Sequence, residues 1–335
     1  GIVTASAFKL SDGSNVGGTD SDAQYNTVGG TNAGDSIASG GTNNTAFGYD
    51  AITAVTTGDD NTAVGFEAGL QAGTTVFKNT YIGGRAGRNN TGGTRNTFVG
   101  YDAGKGHTGN TSVAIGYNAA WNIGNSTDIV CVGASAGGSA SEGTVCVGAN
   151  AAHNPSGMHQ VFVGKNCGGD ITGNKNALVG YAMFSYNSGG ADNNSGIGYG
   201  AAWKCTGDNN CVFGTEAMEN AVAASNNSVL GYKAGDLITT GSNNIVIGAS
   251  ADPSSATVSN EITLGDANIN KLRVPGIGLT VTSEGINHAG GAEFVGIVTA
   301  TTFKDSSGNT IGQTGAQGHQ GVQGAAGAQG ATGAQ

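Results

Sequence analysis

The sequence predicts an all-β chain: a trimeric parallel β-roll or β-solenoid of about 15 coils of ~17 residues each, flanked by short β-hairpin linkers and a collagen-like triple helix. Three observations carry this reading. Gly supplies 63 of 335 residues, whereas Pro supplies 3 and charged side chains 11%. Dense glycine disfavours long helices, at about 1 kcal/mol per interior Gly relative to Ala, and the scarcity of charge and Pro fits neither charged disorder nor a Pro-rich linker. A unit of the form Asn-Thr-x-Val/Ile-Gly-x-x-Ala recurs along most of the chain. Glycines also fall at every third residue near the C-terminal end.

Taken in chain order, residues 1–25 read as a β linker module, 26–270 as the repeat domain, 271–311 as a neck with a second linker module, and 312–335 as the collagen-like segment. The two linkers are near-copies. Gly1-Ile2-Val3-Thr4-Ala5-Ser6-Ala7-Phe8-Lys9 matches Gly296-Ile297-Val298-Thr299-Ala300-Thr301-Thr302-Phe303-Lys304, and their alternating apolar residues followed by a Gly-containing turn suit a hairpin. The abrupt start of the first copy and the abrupt stop of the triplets predict a segment of a longer protein.

Aligned on one glycine, the repeat runs through Gly48, Gly65, Gly83, Gly100, Gly116, Gly133, Gly148, Gly164, Gly180, Gly198, Gly214, Gly231, Gly248 and Gly265, with a degenerate first copy at Asn26-Thr27-Val28-Gly29-Gly30. The residue before the glycine is Phe, Val, Ile or Leu in every unit. It shares a strand face with the residue two positions earlier, and this face is expected to fill the coil. The intervening column (Ala46, Ala63, Tyr81, Phe98, Ala114, Cys131, Cys146, Phe162, Leu178, Val212, Val229, Val246) is also apolar, and is expected to meet neighbouring chains, because a strand apolar on both faces is buried on both. Ala fills eleven of the fourteen positions three after the glycine, predicting a tight inner corner. The mixed polar column two after it, including Asp50, Glu67 and Arg85, is expected to face water. Gly/Asn/Asp/Ser/Thr clusters between units read as turns joining two or three short strands per coil. One coil buries too little apolar surface to offset the ordering of its backbone, so stacking and partner chains are required.

The triplet glycines are Gly312, Gly315, Gly318, Gly321, Gly324, Gly327, Gly330 and Gly333. Only glycine fits the axis of three wound chains, which independently predicts a homotrimer. With no Pro in the triplets, that helix needs a trimeric neighbour to set its register.

Enzyme signatures are sparse. There is no GxxxxGK[ST] phosphate loop and no HExxH, and no enzymatic activity, cofactor or metal is expected. The strongest catalytic candidates are Asp50 and Glu67, in one column of adjacent coils at a spacing at which paired carboxylates cleave glycosides; a solvated polar column is the alternative. The net charge of −10 gives no electrostatic basis for nucleic-acid binding, and no run of 18 apolar residues predicts membrane insertion. The five cysteines contain no CxxC, so neither a disulfide framework nor a zinc site is indicated. Cys131 and Cys146 share a column at a spacing compatible with a disulfide, or are small buried residues of a ladder. Tyr49, Phe66, Tyr101, Tyr117, Tyr181, Tyr199 and Tyr232 follow the repeat glycine, as a subunit seam or a sugar-binding ladder.

The Asn61-Thr62-Ala63-Val64-Gly65-Phe66-Glu67-Ala68 type of unit resembles repeats of bacteriophage tail fibres and the head repeats of trimeric autotransporter adhesins. The 296–303 module resembles linkers in fibres of phages infecting marine cyanobacteria. The resemblance implies a trimeric left-handed parallel β-roll in a virion tail fibre or extracellular appendage, with further fibre segments at both ends and a host receptor or glycan engaged through a tip outside this sequence. It also implies that Lys271-Leu272-Arg273-Val274-Pro275-Gly276-Ile277-Gly278 is a neck, where Lys271 or Arg273 bridges chains or lies exposed on a connector. The expected function is a rigid spacer serving host attachment. A surface adhesin is the alternative, marked by an apolar or aromatic exposed flank, where the spacer is marked by a uniformly polar one, and a polysaccharide depolymerase is a third reading, marked by convergent carboxylates in a groove.

Overall fold

Each repeat unit contributes one strand of three residues. The computed structural model describes residues 24–153, 155–186, 189–275, 279–282 and 285–288. Its strands are β1 (Thr27–Gly29), β2 (Thr45–Phe47), β3 (Thr62–Val64), β4 (Thr80–Ile82), β5 (Thr97–Val99), β6 (Val113–Ile115), β7 (Val130–Val132), β8 (Val145–Val147), β9 (Val161–Val163), β10 (Ala177–Val179), β11 (Ser195–Ile197), β12 (Cys211–Phe213), β13 (Ser228–Leu230), β14 (Ile245–Ile247) and β15 (Ile262–Leu264). All fifteen lie in one parallel sheet in sequence order, paired in register, as in Thr45↔Thr62, Ala46↔Ala63 and Phe47↔Val64. No α-helix occurs among the described residues. The repeat domain is therefore a parallel β-solenoid. At about 4.8 Å per rung, its stack spans roughly 67 Å.

The repeat glycine ends each strand. At Gly65 φ is 137°, and a Cβ there would stand 2.6 Å from the Gly83 carbonyl oxygen of the next coil, so no side chain fits. Two residues on, φ is positive again, at 54° for Asp50, 53° for Glu67 and 61° for Arg85. These reversals fold the chain into a tight corner while its amides keep bonding between coils: Gly65 N donates to Phe47 O (2.8 Å), Glu67 N to Tyr49 O (2.8 Å) and Gly69 N to Ala86 O (2.9 Å). The predicted inner corner is present, with Ala51, Ala68, Ala86, Ala103 and their successors fully buried. The expected second and third strands of each coil are not. Turn geometry replaces them, because alternating left-handed residues cannot continue a strand.

The assignment of strand faces is the reverse of that expected. The middle residue of each strand from β2 to β14 points into the coil and is buried, including Ala46, Tyr81, Phe98, Cys131, Phe162 and Leu178, whereas the residue before the glycine points out. The cause is the asparagine four residues before the glycine. Asn44, Asn61, Asn79, Asn96, Asn176, Asn194, Asn210, Asn227 and Asn244 are buried, and each shares strand parity with the middle residue. Their side chains form a ladder inside the coils. Asn61 Nδ2 donates to Asn44 Oδ1 (3.0 Å) and to the Val76 carbonyl (2.9 Å), and Asn61 Oδ1 accepts from Asn79 N (3.1 Å) and Asn79 Nδ2 (3.2 Å). A buried amide with all partners met anchors one face inward. The ladder lapses over three coils, where Ser112, Ile129 and Thr144 take the asparagine position, and resumes at Gln160, whose Oε1 accepts from Asn176 Nδ2 (3.1 Å). It ends at Glu261, whose N–H donates to Asn244 Oδ1 (3.0 Å) and whose carboxylate accepts from Ser254 N (2.8 Å) and Thr263 Oγ1 (3.1 Å).

Residues 270–335 form a separate unit. Its described part is an antiparallel sheet of β16 (Lys271–Val274), β17 (Leu279–Thr282) and β18 (Gly285–His288), with Lys271 opposite Thr282 and Leu279 opposite His288. The four side chains of β16, Lys271 and Arg273 among them, are exposed. The linker copies at 1–17 and 296–312 and the glycines from Gly312 to Gly333 lie outside the described residues.

Candidate interaction surface

The outward side of the short strands makes a continuous apolar strip. Phe47, Val64, Ile82, Ile115, Val147, Val179, Ile197, Leu230, Ile247 and Leu264 stand before the repeat glycine and are exposed, by 52% at Ile197 and 53% at Leu230. Val99, Val132, Val163 and Phe213 continue the column, half-buried. Because the strands are in register, one side chain per rung repeats the column along the sheet. A column of this length exposed on one chain exceeds the scattered apolar residues of ordinary surfaces.

Beside it runs the aromatic column that follows the glycine. Tyr49 and Phe66 stack at 5.6 Å with an interplanar angle of 13°, Tyr101 and Tyr117 at 5.9 Å and 11°, and Tyr181 and Tyr199 at 5.1 Å and 8°. Within each pair the inner faces are spent on one another, and sugar stacking needs a free face. Tyr232 instead carries the Lys233 ammonium 5.8 Å from its ring centre.

Asp50 and Glu67 do occupy one column of adjacent coils, but each has other partners. Glu67 Oε2 accepts from Arg85 Nε (3.3 Å) and pairs with Arg88 Nε (3.0 Å), and Asp50 Oδ1 accepts from Asn32 Nδ2 (2.8 Å). These ties join neighbouring coils. An open hollow of 260 Å³ lies elsewhere, lined by Asn150, His153, Asn166, Gly169, Asp170 and Ser185. Among the described residues, no group of three His, Cys, Asp or Glu is placed to hold a metal ion.

Several titratable groups are enclosed by the coils. His107 is fully buried, with its ring edge-on to Phe98 at 5.3 Å. Desolvation, partly offset by the Gly124 carbonyl, pulls its pKa down to about 4. The Tyr81 hydroxyl accepts from Asn90 Nδ2 (2.8 Å), and burial pushes its pKa well up. Burial likewise raises Cys167 to about 12 and Cys205 to about 11. Cys131 and Cys146 are paired residues of β7 and β8, with sulfurs 2.9 Å apart. The contact with Cys131, followed by desolvation, holds the Cys146 pKa well above the ordinary thiol range.

The repeat glycines thus prove to be conformational residues, each set at a strand end. The sequence reading overlooked the asparagine ladder, although its signal, an asparagine at one offset in nine of the fourteen units and a glutamine in a tenth, was present in the repeat itself. Comparison of the chain with protein-family models, curated proteins and solved structures finds no match.

Proposed function

We propose that this chain is the shaft of a homotrimeric fibre, a stiff spacer of the bacteriophage tail-fibre type that holds a recognition tip away from its base. The observation that carries the reading is the apolar strip along the outside of the fifteen-stranded sheet. A lone chain leaves it in water, whereas three chains sharing it bury one residue per rung along the whole stack. The coils supply stiffness, since every inner rung is bonded to both neighbours through strand, corner and, over most of the stack, asparagine side chain. The work is geometric, and no enzymatic step is required.

A second reading, a surface adhesin binding a ligand on its flank, is the one that an exposed apolar and aromatic flank is expected to mark; it differs from the shaft in leaving these columns uncovered by neighbouring chains. Two measurements separate them. Sedimentation of the purified chain is expected to give a trimer, with rods seen in negative stain. Glycan-array binding by that trimer would favour the adhesin. A monomer at micromolar concentration would refute the shaft.

A further inference from the structure

We propose that Cys131 and Cys146 form a disulfide that staples coil β7 to coil β8 inside the solenoid. The two residues are direct partners in the parallel register. Neighbouring strands lie about 4.8 Å apart, within the Cα separation of about 4.4–6.8 Å that a disulfide spans. The sulfurs already approach to 2.9 Å, and closing to the bond length of about 2.05 Å takes side-chain rotation of less than an ångström in total. Both residues are fully buried, so neither sulfur is placed to pair with another molecule. Gly137, at φ 66°, lies against both sulfurs, and a Cβ there would collide with them. The other buried cysteines are differently placed: Cys167 Sγ meets the Leu178 carbonyl and Cys205 Sγ the Ala224 carbonyl.

The location gives the bond a purpose. Coils β6 to β8 are those in which Ser112, Ile129 and Thr144 interrupt the asparagine ladder, and buried Thr144 Oγ1 has no hydrogen-bond partner. The interval from Gly133 to Gly148, at 15 residues, is the shortest in the series of repeat glycines. A covalent tie stands where the amide ties are missing.

The chemistry is thiol–disulfide exchange with a small-molecule disulfide such as oxidised glutathione. One cysteine thiolate attacks a glutathione sulfur, expels the first glutathione thiolate and forms a mixed disulfide. The second cysteine thiolate attacks the protein sulfur of that mixed disulfide and expels the second glutathione. Two protein S–H bonds are lost, one S–S bond forms, and the two electrons and two protons leave on two glutathione thiols. Exchange takes place before the coils close, because burial afterwards shields the sulfurs and disfavours the thiolate.

The test refolds the full chain in an oxidised/reduced glutathione buffer, then denatures it and alkylates it with iodoacetamide. Without reductant, three of the five cysteines are expected to take the label, and with reductant all five. Peptide mapping should find one intrachain cross-link, joining the peptides of Cys131 and Cys146. A Cys131→Ser chain, refolded in the same way, should show all four remaining thiols free. The oxidised chain should also unfold at a higher urea midpoint than Cys131→Ala/Cys146→Ala. Five labels without reductant, or a cross-link that involves any other cysteine or joins two chains, overturns the proposal.

Discussion

Replacing Asn61 by Ala should destabilise the solenoid far more than the loss of a surface amide. The wild-type side chain closes four hydrogen bonds, to Asn44 Oδ1, the Val76 carbonyl, Asn79 N and Asn79 Nδ2. Asn79 Nδ2 keeps a second acceptor in the Gly93 carbonyl, so the clearest losses are the Val76 carbonyl and the Asn79 amide. Each buried polar group left unmet costs about 1–3 kcal/mol, giving roughly 2–6 kcal/mol for the pair. Because each coil contacts only its neighbours, the damage should be local. Urea unfolding should register the loss, and amide hydrogen exchange should place it in the coils around β2 to β5. Asn220→Ala, which removes an exposed bond to Asp236 at a residue outside the left-handed region, is the control and should change stability by no more than about 0.5 kcal/mol. If Asn61→Ala matched that control, the ladder would be a consequence of stacking and not a cause of it.

Gly65→Ala forces a Cβ to within 2.6 Å of the Gly83 carbonyl oxygen at a φ of 137°; a loss on the order of 3 kcal/mol is expected in the same unfolding assay. Phe98→Ala empties a fully buried site and should cost about 3–5 kcal/mol. Acidification should weaken the fold through His107. Its folded pKa of about 4 lies below the unfolded 6.5, so the unfolded chain binds the proton first. This contribution is complete above pH 6.5 and is lost as pH falls toward 4, by about 3 kcal/mol at 1.36 kcal/mol per unit. Unfolding of His107→Phe against wild type between pH 7 and 4 checks it: the wild type should lose more. Ile197→Lys on the outer strip should leave each chain's fold within about 0.5 kcal/mol of wild type while weakening trimer association at least about tenfold by sedimentation.

The glycine and alanine columns were legible in the sequence because geometry leaves almost no other residue at those places: a glycine whose Cβ would strike the next coil, and an alanine at an enclosed corner. The faces of the strand were not legible from hydrophobicity, since Val64 on one side and Ala63 on the other are both apolar. What decides between them is polar. Asn61 is buried and shares parity with Ala63, so the inward face follows the amide. The number of strands was overestimated for a related reason. Glu67, Arg85 and Met218 occupy left-handed positions that composition assigns to Gly, Asn or Asp, and the inter-coil amide bonds around them compensate for the strain. The surface strip was read as interior because a lone chain in water is not expected to expose a valine or isoleucine at every rung.

Glu261 gives the stack a terminus. Along the asparagine column, each side-chain donor reaches toward the rung before it, and each acceptor serves the rung after. The carboxylate of Glu261 breaks that succession, because its oxygens are taken by Ser254 of the turn before it and by Thr263 of β15. It therefore presents a carboxylate, and not an amide that could both donate and accept, to an asparagine arriving from another molecule, and its negative charge repels a second such end. Open-ended elongation, the hazard of any unfinished parallel sheet, is discouraged at this boundary by one residue.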